Sequence, residues 1–316
     1  GLNNDLGQIG SVEDVLSIDA GQGVLSNQKG KLQSTKDLSL KAQGIDNQSG
    51  LIATQAKLDL QQQWLNNDKG QIISGQSLNL IGQDLSNQGG LLQSGSDLDF
   101  KLSGKLDNSQ SGQLISAGHT WIEASQLDNS QHGLINTQRD LKITTQQDIN
   151  NAAGMIAANE RVDIQSQGLN NNQGQIGSVA EQLNIDTGLG ILLNQSGLLQ
   201  STGDLTLKVT GLNNDQGQIN SLGKATISSK GDLSNDAGQI AANNQLEISS
   251  NNLSNNLGTI QSGENAGLQL KIDGVLNTQA GQINSGSDLN IDVDVLDNSQ
   301  QGQISAQKTL NITTLH

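Results

Sequence analysis

The sequence predicts an all-β fold, a right-handed parallel β-helix (solenoid) of about fifteen coils with roughly 21 residues each. Three observations predict it. A Leu-x-Asn opening recurs along the whole chain, a Gly stands at a fixed place behind it, and the apolar residues are spaced by two.

The openings start at Leu2, Leu25, Ile45, Leu65, Leu85, Leu106, Leu127, Ile149, Leu169, Leu192, Leu212, Leu233, Leu253, Leu276 and Leu296. Two places on stands an Asn column: Asn4, Asn27, Asn47, Asn67, Asn87, Asn108, Asn129, Asn151, Asn171, Asn194, Asn214, Asn235, Asn255 and Asn298, with Thr278 the one departure. An amide at every turn predicts a structural ladder in which each side chain donates to one neighbouring coil, accepts from the other, and satisfies turn backbone groups. The Gly column is unbroken: Gly7, Gly30, Gly50, Gly70, Gly90, Gly112, Gly133, Gly154, Gly174, Gly197, Gly217, Gly238, Gly258, Gly281 and Gly302. It predicts a structural turn that either needs positive φ or has no room for a Cβ.

Two residues past the Gly comes a second column of Leu or Ile (Ile9, Leu32, Ile52, Ile72), and two further a small one (Ser11, Ser34, Thr54, Ala158). An alternating pair closes each unit, as in Leu38 and Leu40 or Leu98 and Phe100. Spacing of two puts alternate side chains on one face of a strand, and no window shows the i, i+3, i+4 spacing of an amphipathic helix. Segments of three to five residues between Asn, Gly, Ser and Asp read as short strands and tight turns, three strands per coil. At the ~4.8 Å spacing of paired strands, fifteen coils would give a rod on the order of 70 Å long. The leucine-rich repeat has a similar period, but its consensus places the Asn after Leu-x-x-Leu-x-Leu and continues into a helix or extended return segment.

Composition suits a thin core. Hydrophobic residues are 33% of the chain and aromatics 1%, too few to fill a compact globule of 316 residues. One domain, residues 1–316, is therefore expected, as a segment excised from a longer protein, since neither end carries a recognisable cap. A net charge of −15 with scattered basic residues argues against nucleic acid and against an anionic membrane surface. Without cysteine there is neither a disulfide nor a thiolate metal site. No stretch reaches the ~18 continuous apolar residues of a membrane span.

Two longer-range patterns stand above the single unit. Residues 1–40 match residues 168–207, an offset of eight coils, which points to growth by block duplication. Three coils are longer than the rest, with extra residues near Asp19–Gly23, Asp186–Gly190 and Gly263–Gly267; these read as surface loops, with a partner contact as the functional alternative. Asp37, Asp97, Asp140, Asp204 and Asp288 share one exposed column, in which Lys57, Arg161 and Lys224 follow Asp37, Asp140 and Asp204 one coil later. Pairing of opposite charges between coils is the expectation.

Chemistry is sparse. His119, His132 and His316 occupy different places in their coils, so the repeat aligns no pair for a metal. Gly21-Gln22-Gly23 lacks the third glycine and the helix of a phosphate loop, and Gly89-Gly90 lacks the Asp of a calcium-binding nonapeptide. Trp64 and Trp121 also fall at different points and read as isolated surface residues. No catalytic, cofactor-binding or metal residue is assigned, and no enzyme is expected. A β-helical carbohydrate-active enzyme would need carboxylates clustered across neighbouring coils.

The unit Leu-x-Asn-x-x-Gly-x-Ile-x-Ser/Ala-x-x-x-Leu-x-Ile, seen in Leu65–Leu80, Leu169–Ile185 and Leu233–Ile248, resembles the haemagglutinin repeat of filamentous-haemagglutinin-type exoproteins. These include adhesins and the toxin-delivery proteins of contact-dependent growth inhibition. The resemblance implies a virulence-associated stalk, secreted or held on the outer-membrane surface of a Gram-negative bacterium, that extends a distal tip. It implies export by two-partner secretion through an outer-membrane transporter. A host or target-cell receptor would be met through regions outside this segment, the alternative being a direct adhesive module.

Overall fold

The computed structural model describes residues 1–315, so His316 lies outside the described residues. Internal contacts divide the chain into two units, one of residues 1–158 and one from residue 159 onward. Both are β-solenoids, and among the described residues there is no helix.

In the first unit the coil that begins at Gly44 shows the plan, with strands Gly44–Asp46, Leu51–Thr54 and Leu58–Gln61. Each strand pairs in parallel with its counterparts one coil away on either side, so that Ile52 lies between Leu32 and Ile72, and Leu60 between Leu40 and Leu80. The second unit repeats it. Strand Gln218–Ser221 pairs with Leu198–Ser201 and Gln239–Ala242, stacking Ile219 on Leu199 and Ile240.

The period of two decides what is buried. Along Leu51–Thr54, Ile52 and Thr54 are buried while Leu51 and Ala53 are not, because alternate side chains of a strand face opposite ways. Stacked coils therefore bury the Leu and Ile columns almost completely, and even Phe100 is 0% exposed in the column it shares with Leu80 and Ile122. At about 1.5–3 kcal/mol for each fully buried aliphatic side chain, these columns supply the main favourable term.

The small column ends the second strand, where a hydroxyl can reach a carbonyl of the preceding coil. Ser94 Oγ donates to the Gln76 carbonyl at 2.7 Å, and Ser221 Oγ to that of Gly203 at 2.8 Å. The two duplicated blocks make the same local bonds. Gly21 N donates to Asp19 Oδ1 at 2.8 Å, and Gly188 N to Asp186 Oδ1 at 2.9 Å, so two of the three longer segments are ordered turns closed by an Asp. The third, near Gly263–Gly267, is closed by Ser262 Oγ donating to the Ala266 carbonyl at 2.7 Å.

Candidate functional site

The repeated turn is where the sequence concentrates its invariant residues. After the first strand the backbone amide of the Gly donates back to the carbonyl of the Asn, as Gly50 N does to Asn47 at 2.9 Å and Gly217 N to Asn214 at 2.9 Å. In the shorter turns one residue between them adopts the left-handed conformation: Lys29, Ser49, Lys69, Gln173, Gln216 and Leu257 have φ of 54° to 58°. The turns after Asn108, Asn129 and Asn298 are one residue longer, with two left-handed residues, and there the Gly amide donates to Ser109, Ser130 or Ser299. His132, at φ 67°, belongs to the same column.

Of the two reasons for glycine, close approach is the one realised. None of the invariant glycines is among those with positive φ; the left-handed residue is the one before, and only at Gly89 is it a glycine. A Cβ on Gly50 would stand 2.1 Å from the Asn27 carbonyl oxygen of the preceding coil and 2.6 Å from Asn47 Oδ1. On Gly217 it would stand 2.1 Å from Asn194 O and 2.6 Å from Asn214 Oδ1.

The Asn side chains stack within each unit. In the first, Nδ2 of Asn4 donates to Oδ1 of Asn27 at 2.6 Å, and the series continues through Asn47, Asn67, Asn87, Asn108 and Asn129 to Asn151 at 2.7–2.8 Å. In the second, Asn171, Asn194, Asn214, Asn235 and Asn255 are linked at 2.7 Å. Each amide nitrogen also faces its own turn and the next coil: Asn47 Nδ2 lies 3.3 Å from Gly50 O and 3.2 Å from Gln71 O. From Asn27 onward these side chains are 0% exposed up to Asn255, so every bond is made out of water. At Thr278 the series weakens. Asn255 Nδ2 reaches Thr278 Oγ1 only at 3.3 Å, and Oδ1 of Asn298, one coil on, has no hydrogen-bond partner.

At Asp37 and Asp204 the exposed Asp column does not pair with the following lysine in the way its charge alternation suggests. Asp37 Oδ1 accepts the backbone amide of Lys57 at 3.2 Å, and Asp204 Oδ1 that of Lys224 at 2.8 Å. The ammonium groups turn elsewhere, Lys57 to Asp59 at 3.0 Å and Lys224 to Glu247 at 2.9 Å. The carboxylate acts as a geometric cap on the amide just before a strand of the next coil, a bond that any residue's backbone can make. Hence Asp97 caps His119 and Asp288 caps Thr309 as readily as a lysine. The Thr309 bond holds the Asp288 carboxyl below its ordinary range.

Lys105 joins two carboxylates of successive coils. Lys105 Nζ lies 3.0 Å from Asp107 and 3.5 Å from Asp128. Burial pulls the Lys105 ammonium down, but the hydrogen bond and charge of Asp107 and the charge of Asp128 outweigh it, so its pKa is raised. Burial pushes Asp107 up, and bonds from Ser109 and Lys105 outweigh that, so its pKa is lowered. The Asp107 contribution is thus present above the ordinary carboxylate range and is lost as pH falls through its lowered value. That of Lys105 is present below the ordinary lysine value and is lost as pH rises through its raised one. Lys105→Met is expected to lower the urea midpoint of unfolding at neutral pH and to change it little below the carboxylate range. A deficit that persists in acid would show that packing of the lysine stem, and not its charge, is what was removed.

Trp64 and Trp121 are not alike, and Trp121 is not isolated. The Trp64 indole lies across the preceding coil where Gly44 leaves space, so that a Cβ there would stand 2.0 Å from the ring. Trp121 stands on the outer face of strand Thr120–Ala124 with its ring stacked on His119, centroids 5.3 Å apart and planes 18° apart. The register of neighbouring strands creates that pair's surroundings, a signal that spacing within the chain does not carry. Among the described residues no three His, Cys, Asp or Glu come together in a way that could hold a metal ion.

These features define a class: a parallel β-solenoid repeat protein whose turns are built on stacked buried amides. The chain belongs to the haemagglutinin repeat family, whose model matches residues 13–74, 58–110, 115–188, 180–237, 234–269 and 265–315. That family is of adhesin type, non-enzymatic, generally secreted or surface-exposed, and typically exported by two-partner secretion. Neither the curated proteins nor the solved structures gave a match.

Proposed function

We propose that the chain is a structural stalk in an adhesin or toxin-delivery exoprotein of a Gram-negative bacterium, exported through an outer-membrane two-partner secretion transporter, and that both units serve as one repeat domain. The Asn and Gly columns are its working residues. The observation that carries this reading is that the buried Asn-to-Asn hydrogen bond recurs coil after coil, from Asn4 to Asn151 in the first unit and from Asn171 to Asn255 in the second, and that the duplicated blocks reproduce each other's local bonds. A body built this way gains length by adding coils, and each added coil meets the same neighbour surface.

Whole-coil deletions test it. Removing residues 25–84 joins Val24 to Leu85 in phase, and removing residues 192–252 joins Ile191 to Leu253 in phase. In the exoprotein that carries the segment, both deletions are expected to leave secretion intact and to reduce adhesion or toxin delivery in equal, partial measure. Abolition by one deletion and not the other would replace the stalk with a local binding module.

A further inference from the structure

We infer that the outer face of the second-strand sheet in the first unit docks on the same face of a second copy of this chain, in a two-fold pair whose axis runs along strand Leu91–Ser94. The inference is independent of the stalk reading. From Gln8–Ser11 to Met155–Ala158, each second strand of this unit points its first and third side chains outward. At those positions only Lys31 carries a charge. The third-strand face of the same unit carries Asp59, Asp99, Lys101, Glu123 and Lys142. The chain as a whole has a net charge of −15, so two copies repel, and the uncharged face is where they can meet without setting carboxylates against each other.

The order of side chains selects a copy of the chain as the occupant. Strand by strand from Leu51 to Asn136, the outward pairs are Leu and Ala, Gln and Ile, Leu and Gln, Gln and Ile, Leu and Asn. The large aliphatic residue changes column at every coil, and the register stacks these strands without a shift. About the Leu91 strand this order reads the same in both directions, except that Ala53 answers Asn136. A two-fold axis along that strand sets Leu51 against Leu134 of the second copy, Ile73 against Ile115, Gln71 against Gln113 and Leu91 against itself. Aliphatic meets aliphatic and amide meets amide, the self-complementarity that an isologous interface requires. In the second unit the same outward positions hold only Leu198 and Ala241 as apolar side chains, so the pattern belongs to the first unit. Under this axis the strands from Lys31–Ser34 to Met155–Ala158 overlap. At ~3.3 Å per residue and ~4.8 Å per coil the footprint is about 450 Å² on each copy and about 900 Å² in all, just under the ~1,000 Å² of a stable interface. The pair is therefore reversible.

The test is sedimentation equilibrium of the full chain over a concentration series reaching the high micromolar range, at about 0.15 M and about 1 M salt. A monomer–dimer equilibrium is expected, tighter at the higher salt because repulsion between two acidic bodies is screened. Leu91→Glu places two carboxylates against each other at the axis and is expected to weaken the dimer on the order of tenfold or more. Leu198→Glu, outward on the same face of the second unit, is expected to leave it unchanged. Register is read by crosslinking, since the chain has no cysteine of its own. A short bismaleimide is expected to couple a mixture of Leu51→Cys and Leu134→Cys chains, and to couple neither variant to itself. A chain that stays monomeric, a dimer that loosens in salt, a dimer indifferent to Leu91→Glu, or equal coupling of either cysteine variant alone overturns the inference. If Leu91→Glu fails to fold, the decision moves to Gln93→Glu, outward on the same strand, which must then weaken the dimer for the inference to stand.

Discussion

Gly217→Ala is expected to destabilise the second unit by about 3 kcal/mol, at the upper end of what one added methyl costs a packed interior. The new Cβ would stand 2.1 Å from Asn194 O, an oxygen already accepting from Gly197 N at 3.0 Å in the preceding turn. Moving it away opens that turn. Moving the Cβ the other way meets Asn214 Oδ1 at 2.6 Å, the atom that receives Asn194 Nδ2. Neither neighbour can yield without breaking a buried bond. The residue immediately before behaves oppositely. Gln216 sits at φ 57°, where a side chain costs roughly 1–2 kcal/mol, and a glycine relieves that against its own entropy in the unfolded chain. Gln216→Gly is therefore expected to be stabilising by about 0.5 kcal/mol. Solenoids need not unfold in one step, so hydrogen exchange at amides of residues 211–221 is the direct measurement. Comparable loss at both positions would mean that the turn resists any change of backbone, not a Cβ specifically.

That contrast marks what was legible in the sequence. The Gly column, the strands of two-residue period and the closed aliphatic core could be read because they repeat in residue type. The left-handed column could not, since its members include Leu6, Lys29, Ser49, Ala153 and Leu257. The conformation there is imposed by the coils on either side, whatever side chain the position carries. For the same reason Asp37 and Asp204 mislead when read as charge. Each accepts a backbone amide, which leaves no trace in sequence, while Lys57 and Lys224 turn to Asp59 and Glu247. Trp121 is the third case. Its place in the coil is visible in sequence, but its stacking on His119 depends on side-chain direction at the corner.

The Asn column carries the second large effect, and its own irregularity supplies the control. Asn214 Nδ2 donates to Asn235 Oδ1 at 2.7 Å and lies 3.2 Å from Gly217 O and Gln239 O, while its Oδ1 accepts from Asn194 Nδ2 at 2.7 Å. Asn214→Ala removes this group and leaves buried donors and acceptors on three coils without it. At about 1–3 kcal/mol for each group left unsatisfied, a loss of about 3 kcal/mol is expected. Thr278 is the same site with a shorter side chain and one oxygen. It receives Asn255 only at 3.3 Å, and Asn298 Oδ1 goes without a partner. Thr278→Asn restores an amide there that can accept from Asn255 and donate to Asn298, so it is expected to stabilise by about 1 kcal/mol. Both changes are read by urea unfolding of the chain with hydrogen exchange across residues 211–217 and 276–302. Loss at Asn214 with gain at Thr278 would identify the stacked amide itself as the stabilising unit. Loss at both would mean that the column tolerates only the native side chain at each coil, and that shape, not hydrogen bonding, holds the turns together.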